Sequence, residues 1–160
     1  MKKLLVSSMT TLLLVIVLTS VTLAAPAAGE RQLLLKGRLQ GTETYVFFPT
    51  MFVVTGTGSG NATHLGLYTI DFGAEVDLNT LSSSTSATVI AASGDRLFGE
   101  GWGQGTPTDD PNLASVVENF TITGGTGRFA GARGNFRLER LVHLDSGFSS
   151  GTISGLIVLP

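Results

Sequence analysis

The stretch TGGTGRFAGARG, residues 123–134, decides how the rest of the chain is interpreted, because it is compatible with two very different folds. Residues 125–130 fit the G-x-G-x-x-G/A fingerprint of a dinucleotide-binding loop, and the run at 116–122 before them is typical of a strand. A dinucleotide loop must open a helix, because the free amides of the helix N-terminus hold the pyrophosphate. The residues that follow the stretch therefore distinguish the two interpretations.

Residues 135–145 alternate between apolar and polar side chains. One parity carries Phe136, Leu138, Val142 and Leu144, and the other carries mainly charged or polar residues. A period of two predicts a strand with one buried face. Only fifteen residues follow this segment, which is too short for a second βαβ unit. We therefore reject the nucleotide site and expect the glycines to let the chain turn sharply, with positive φ, between two strands.

From Arg31 onward, short apolar runs alternate with glycines and polar turns, and no convincing amphipathic helix is present. The pattern predicts eight strands: Gln32–Leu39, Thr44–Thr55, Thr63–Val76, Thr85–Ala92, Arg96–Gly105, Ala114–Thr123, Asn135–Asp145 and Phe148–Leu159. Eight antiparallel strands can close on themselves and so remove both sheet edges, which otherwise invite aggregation. We predict an all-β protein with a single eight-stranded antiparallel β-barrel, in preference to a sandwich.

The N-terminus has the layout of a secretory signal peptide. Lys2 and Lys3 precede an apolar run that continues through residues 12–18, and an A-x-A-like site ends at Ala27. We predict a signal peptide at 1–27, with cleavage after Ala24 as the alternative, and one barrel domain at 28–160. The apolar run is shorter than the roughly 20 residues that span a membrane. We therefore expect an exported protein, periplasmic or extracellular, without a stable membrane anchor.

Composition excludes several classes of function. Without Lys2 and Lys3, eight basic residues remain against twelve acidic ones, so no basic field for nucleic acid is present. The chain has no cysteine, which excludes disulfides, thiol chemistry and Cys-based metal sites. Its two histidines lack metal-ligand spacing, and no G-x-S-x-G motif is present. We expect no cofactor and no bound metal.

Strand register suggests a cluster of charges inside the barrel. If residues 118 and 140 face each other, and residues 100 and 118 do so as well, then Glu100, Glu118 and Arg140 lie side by side on a largely apolar face. Buried charges are costly unless they are paired, and two close carboxylates raise one pKa, which creates a proton donor. The cluster is either a structural element of a narrow barrel or a ligand-binding or catalytic site.

Glycines alternate along the fifth predicted strand, at positions 99, 101, 103 and 105. Glycine in a strand indicates strong bending or a close approach. The pattern fits a bent barrel wall or a ligand that lies against bare backbone. Trp102 falls on the same face of this strand as Glu100. We therefore add it to Glu100, Glu118 and Arg140 as a candidate ligand-binding residue.

The stretch at 123–134 also resembles the GGTGxFxxARG signature of dirigent proteins, within the dirigent and allene oxide cyclase-like barrels. The matching positions are Gly124, Gly125, Thr126, Gly127, Phe129, Ala132, Arg133 and Gly134. Residues 58–66 are similar to the ATHLG segment of exported bacterial proteins of this type, which mostly lack an assigned function. The resemblance implies an eight-stranded barrel with an apolar cavity, a homo-oligomer that is often trimeric in plant members, and Arg133 as a candidate ligand-binding residue.

The resemblance does not extend to an activity. Many lignan-type dirigent sequences carry an acidic residue where this chain has Arg128, and no matching cyclase constellation is present. Fold alone does not define function. We therefore expect an exported, non-catalytic barrel that binds a small apolar or phenolic ligand or acts as a structural or interaction module. The alternative is a cyclase or isomerase that uses a polar cluster inside an apolar barrel.

Overall fold

The computed structural model describes residues 29–160, so the predicted signal peptide lies outside the described residues. Each strand pairs antiparallel with the next, and the last pairs with the first, which closes an eight-stranded barrel. The strands are β1 (Arg31–Phe47), β2 (Met51–Ala62), β3 (Gly66–Asp77), β4 (Ser82–Ile90), β5 (Arg96–Pro107), β6 (Leu113–Gly125), β7 (Arg133–His143) and β8 (Phe148–Leu159). The predicted all-β barrel is confirmed.

One predicted strand is wrong. The segment Thr44–Thr55 contains the end of β1, a tight turn and the beginning of β2, and the turn is closed by a 2.8 Å hydrogen bond from the Phe48 amide to the Met51 carbonyl. Apolar residues flank this turn on both sides, so the hydrophobic pattern runs through it unbroken. Conversely, β1 continues through the polar residues 40–43, which have no strand-like composition of their own.

The glycine-rich stretch joins β6 to β7 through a single 3-10 turn, Gly127–Phe129. Gly124, Gly127, Gly131 and Gly134 have φ values between 57° and 152°, a region that side-chain-bearing residues seldom adopt. The chain then continues as β7, so no helix follows to bind a pyrophosphate. Within residues 29–160, no helix has the length and hydrophobicity needed to cross a membrane.

The barrel interior differs between its two ends. At the end that contains the β6–β7 turn, here called the closed end, Phe129 enters the barrel and is only 1% exposed. Above it, Phe120 and Phe136 stack with ring centroids 4.5 Å apart. The other interior side chains there are large and fully buried: Leu35, Leu65, Leu97, Leu138, Ile153 and Ile157. At the opposite end, here called the mouth, the β1–β2, β3–β4, β5–β6 and β7–β8 turns surround the opening.

The alternating glycines of β5 face the interior. A Cβ atom at Gly99 would lie 2.8 Å from Cε1 of Phe136, and one at Gly103 would lie 3.0 Å from Cγ of Glu118. Both distances are shorter than van der Waals contact. The missing side chains therefore give Phe136 and Glu118 the space they occupy inside the barrel.

The closed end should depend on Phe129. We expect Phe129→Ala to lower the free energy of unfolding by about 3–5 kcal/mol, because it removes a fully buried ring from a packed end. Phe48→Ala, the same change at a side chain that is 49% exposed, is the control and should cost about 1 kcal/mol or less. Urea unfolding measures both. Equal losses in the two variants would contradict the packing described here.

Candidate functional site

Arg140 of β7 lies inside the barrel and is bound on three sides. Its Nε donates to Oε2 of Glu118 at 3.0 Å, and its Nη1 donates to Oε2 of Glu43 at 2.5 Å and to Oγ of Ser149 at 3.1 Å. Its Cζ lies 4.7 Å from the ring centroid of Phe72, which adds a cation–π contact. Five strands therefore contribute one residue each to this arrangement, which we call the lumen cluster.

All charged members of the lumen cluster are removed from solvent. Arg140 is 4% exposed, Glu118 1% and Glu43 8%. Glu43 also accepts a 2.9 Å hydrogen bond from the hydroxyl of Tyr45, so both of its carboxylate oxygens are engaged. Charges buried in this way persist only when they are paired and hydrogen-bonded.

Burial and pairing shift the proton affinities of these groups. Burial raises the pKa of the Glu118 carboxyl above its ordinary 4.5, and the facing Arg140 guanidinium reduces this effect without cancelling it. For Arg140, burial lowers the pKa, but the charges of Glu118 and Glu43 outweigh it, so Arg140 stays protonated. Burial, followed by the charge of Glu43, raises the pKa of the Tyr45 hydroxyl.

A cavity of about 370 Å³ extends from the lumen cluster to the mouth. Glu43, Glu118 and Arg140 form its floor. Its walls are mainly apolar, and they include Val54, Ala74, Val76, Leu81, Leu113, Ala114, Val116, Val142 and Leu144. At the rim, Phe47 and Asp110 are exposed, so the cavity opens to solvent. Its size lies at the lower end of the range for small-molecule sites.

The sequence-predicted pair Glu118 and Arg140 does lie in contact, but through a different register. Glu118 pairs with Leu138, and Arg140 pairs with Val116, so the two side chains meet diagonally across β6 and β7. The predicted directly opposed pairing is therefore shifted by two residues.

The placement of Glu100 in this cluster is wrong. Glu100 pairs with Thr121 and is exposed on the outer wall, whereas Gly103 is the residue opposite Glu118. The prediction assumed that the larger residues of β5 face inward. The structure has the opposite arrangement, because side chains from β6 and β7 already fill the space inside.

Two further sequence-predicted residues lie away from the cavity. Trp102 is 59% exposed on the outer wall of β5. Arg133 stands at the start of β7, at the closed end, and forms an ion pair with Glu30. The site that the structure presents therefore includes neither of these side chains.

Sequence reasoning missed Glu43 and Tyr45, both of which line the cavity. They fall in or beside the polar segment 40–43, which separates the first two predicted strands. Extending the period of two from Leu35 and Leu39 would have placed Glu43 on the inward face, since these positions share one parity of β1. Within the described range 29–160, no group of three or more His, Asp or Glu residues is placed to hold a metal ion.

The comparisons with known proteins support the fold. No protein-family model matches the chain, and no curated protein matches its sequence. The chain is similar to the solved structure of a pterocarpan synthase dirigent protein, with a TM-score of 0.61 and 14% sequence identity over 82% of this chain and 86% of that one. The protein thus has a dirigent-like β-barrel fold, as the resemblance of its glycine-rich stretch to the dirigent signature implies.

The buried acid predicts a defined pH dependence. Because the pKa of Glu118 is raised in the folded state, its contribution to stability is present below about pH 4.5 and is lost as the pH rises through the folded pKa. The melting temperature of Glu118→Gln minus that of the wild type should therefore increase between about pH 4 and pH 8.

Differential scanning fluorimetry measures this difference. Glu100→Gln removes an exposed carboxyl from the outer wall and supplies the control trend. A decrease of the Glu118→Gln difference with rising pH would show that ion pairing, and not burial, dominates at Glu118.

Proposed function

We propose that the protein is a non-catalytic binding protein that holds a small, mainly apolar or phenolic molecule in the mouth half of its barrel. The cavity carries this proposal, because its mainly apolar walls meet a polar floor formed by the lumen cluster. Such a combination is characteristic of small-molecule sites, in which apolar surface supplies affinity and a few polar groups fix orientation.

The contrast between the two barrel ends supports a binding role. The closed end is filled by large side chains such as Phe120, Phe129 and Phe136. Near the mouth, β3, β4 and β6 present small residues to the interior, namely Ala74, Ser83 and Ala114. Protein interiors are normally close-packed. A cavity maintained at one end of an otherwise packed barrel is therefore best explained by an occupant.

The lumen cluster supports the same conclusion. A buried ion pair seldom stabilises a fold more than apolar side chains of equal volume would. Placed at the floor of a cavity, however, the same groups provide hydrogen-bonding partners for the polar end of a bound molecule. This arrangement is more useful for recognition than for stability.

One observation favours a second function, that of a cyclase or isomerase. Glu118 lines the cavity, and burial raises its pKa, so it is suited to donate a proton to a bound substrate. In that case Glu118→Gln would keep binding but abolish conversion of the bound compound, which mass spectrometry of the released product measures. For a binding protein, the compound is released unchanged by both forms.

Blocking the cavity should abolish binding. Ala114 is half-buried and lines the cavity, so Ala114→Trp should weaken binding of 2-naphthol at least about tenfold, as measured by isothermal titration calorimetry. Thr121→Trp adds the same side chain to the exposed outer face of the same strand and should bind like the wild type. If Thr121→Trp weakened binding and Ala114→Trp did not, the ligand site would lie on the outer wall.

We also propose that the protein is exported and that a signal peptide is removed. The basic start, the apolar run and the A-x-A-like site support this. Intact-mass analysis of the exported protein should show a chain that begins at Ala28, or at Ala25 for the alternative cleavage site. Recovery of a chain that still begins at Met1 would argue against removal.

A further inference from the structure

The mouth of the barrel carries negative charge. The turns that surround it, with their flanking residues, are segments 47–51, 77–82, 107–113 and 143–148, and they contain no lysine or arginine. They do contain four aspartates: Asp77, Asp109, Asp110 and Asp145. Asp77 is held in its turn by backbone hydrogen bonds from residues 79 and 80, and the rest are exposed.

The closed end carries the opposite charge. Its turns and the adjoining β1 start contain Arg31, Arg96, Arg128 and Arg133. The carboxylates there are Asp95 and Glu30, which pair with Arg128 and Arg133. The barrel is therefore polarised along its axis, and its opening lies at the negative end. A cleft lined by one sign of charge concentrates and steers ligands of the other sign.

Aromatic rings line the cavity from its rim inward. Tyr45, Phe47 and Phe52 all line it, with ring centroids 5.4–6.4 Å from one another. The negative faces of aromatic rings attract cations, and groups of such rings recognise organic ammonium ions. The rings and the acidic rim therefore both favour a positively charged ligand.

The floor offers no surplus positive charge to an anion. Arg140 is the single basic residue that lines the cavity within residues 29–160, and its Nε and Nη1 already donate to Glu118 and Glu43. The cluster carries one negative charge when Glu118 is ionised and none when Glu118 is protonated. A bound carboxylate would therefore meet the carboxyl groups of Glu43 and Glu118 beside the single guanidinium.

Resting on the proposed binding function, we propose that the cavity selects organic ammonium ions, that is, apolar molecules that carry a protonated amine. The acidic rim attracts the cation, the aromatic rings contact it, and the floor adds no surplus positive charge to repel it. Neutral molecules of the same shape bind more weakly, and carboxylates bind most weakly.

A series of ligands with one apolar body tests this selectivity. Calorimetry at low salt should give 2-naphthylmethylamine about tenfold tighter binding than 2-naphthylmethanol, with 2-naphthoic acid weaker than both. Raising the salt concentration should reduce the preference for the amine and leave the affinity for the alcohol unchanged, because salt screens only the charge interaction.

Variants of the rim test whether the selectivity arises at the mouth. The double variant Asp109→Asn with Asp145→Asn should weaken binding of the amine about two- to fivefold at low salt, and it should not change binding of the alcohol. The control, Asp71→Asn with Glu100→Asn, removes the same number of charges from exposed positions on the outer wall and should leave both affinities unchanged. Equal losses in the two double variants would assign the effect to net charge instead of to the mouth.

The outcomes separate this inference from the proposed function. If all three naphthyl compounds bind equally, or the acid binds best, the inference is overturned and the binding function stands. If none of them binds, both the inference and a small-molecule site of this size are overturned. Preference for the amine that falls about two- to fivefold in the Asp109 and Asp145 double variant supports both.

Discussion

The burial of Arg140 is the constraint on which the interior of this barrel depends. A guanidinium inside a closed barrel is tolerated only because Glu118, Glu43 and Ser149 accept its hydrogen bonds and Phe72 lies against its face. Glu118, Ser149 and Glu43 come from β6, β8 and β1, which with β7 form a contiguous part of the barrel wall, and Phe72 comes from β3. The cluster thus connects β7 to four other strands in the middle of the barrel, and it also forms the floor of the open half.

Small residues decide where large ones lie in this barrel. The inward glycines of β5 leave space for Phe136 toward the closed end and for Glu118 toward the mouth. The glycine-rich turn after β6 also positions a large side chain. Its positive φ angles let the chain fold back and bring Phe129 into the closed end. One end of the barrel is therefore packed, and the remaining interior space is concentrated at the mouth.

The sequence predicted the fold well because the fold depends on local periodicity. The alternation after the glycine stretch is a property of consecutive residues, and it identified β7 and excluded a nucleotide-binding helix. The composition of the cavity was harder to predict, because it depends on register between strands. Glu100 was placed inside because nothing in β5 alone shows that its glycines, and not its large residues, face inward. Glu43 was missed because the polar residues around it conceal a strand.

The central claim is that a small molecule occupies the mouth half and contacts the lumen cluster, and nuclear magnetic resonance tests it most directly. In a titration with whichever naphthyl compound binds, the Nε–H resonance of Arg140 should shift, because that group lies at the cavity floor. The indole N–H of Trp102, the one tryptophan in the chain, lies on the outer wall and should not shift. A shift of the Trp102 resonance with no change at Arg140 would contradict the account and place the ligand outside the barrel.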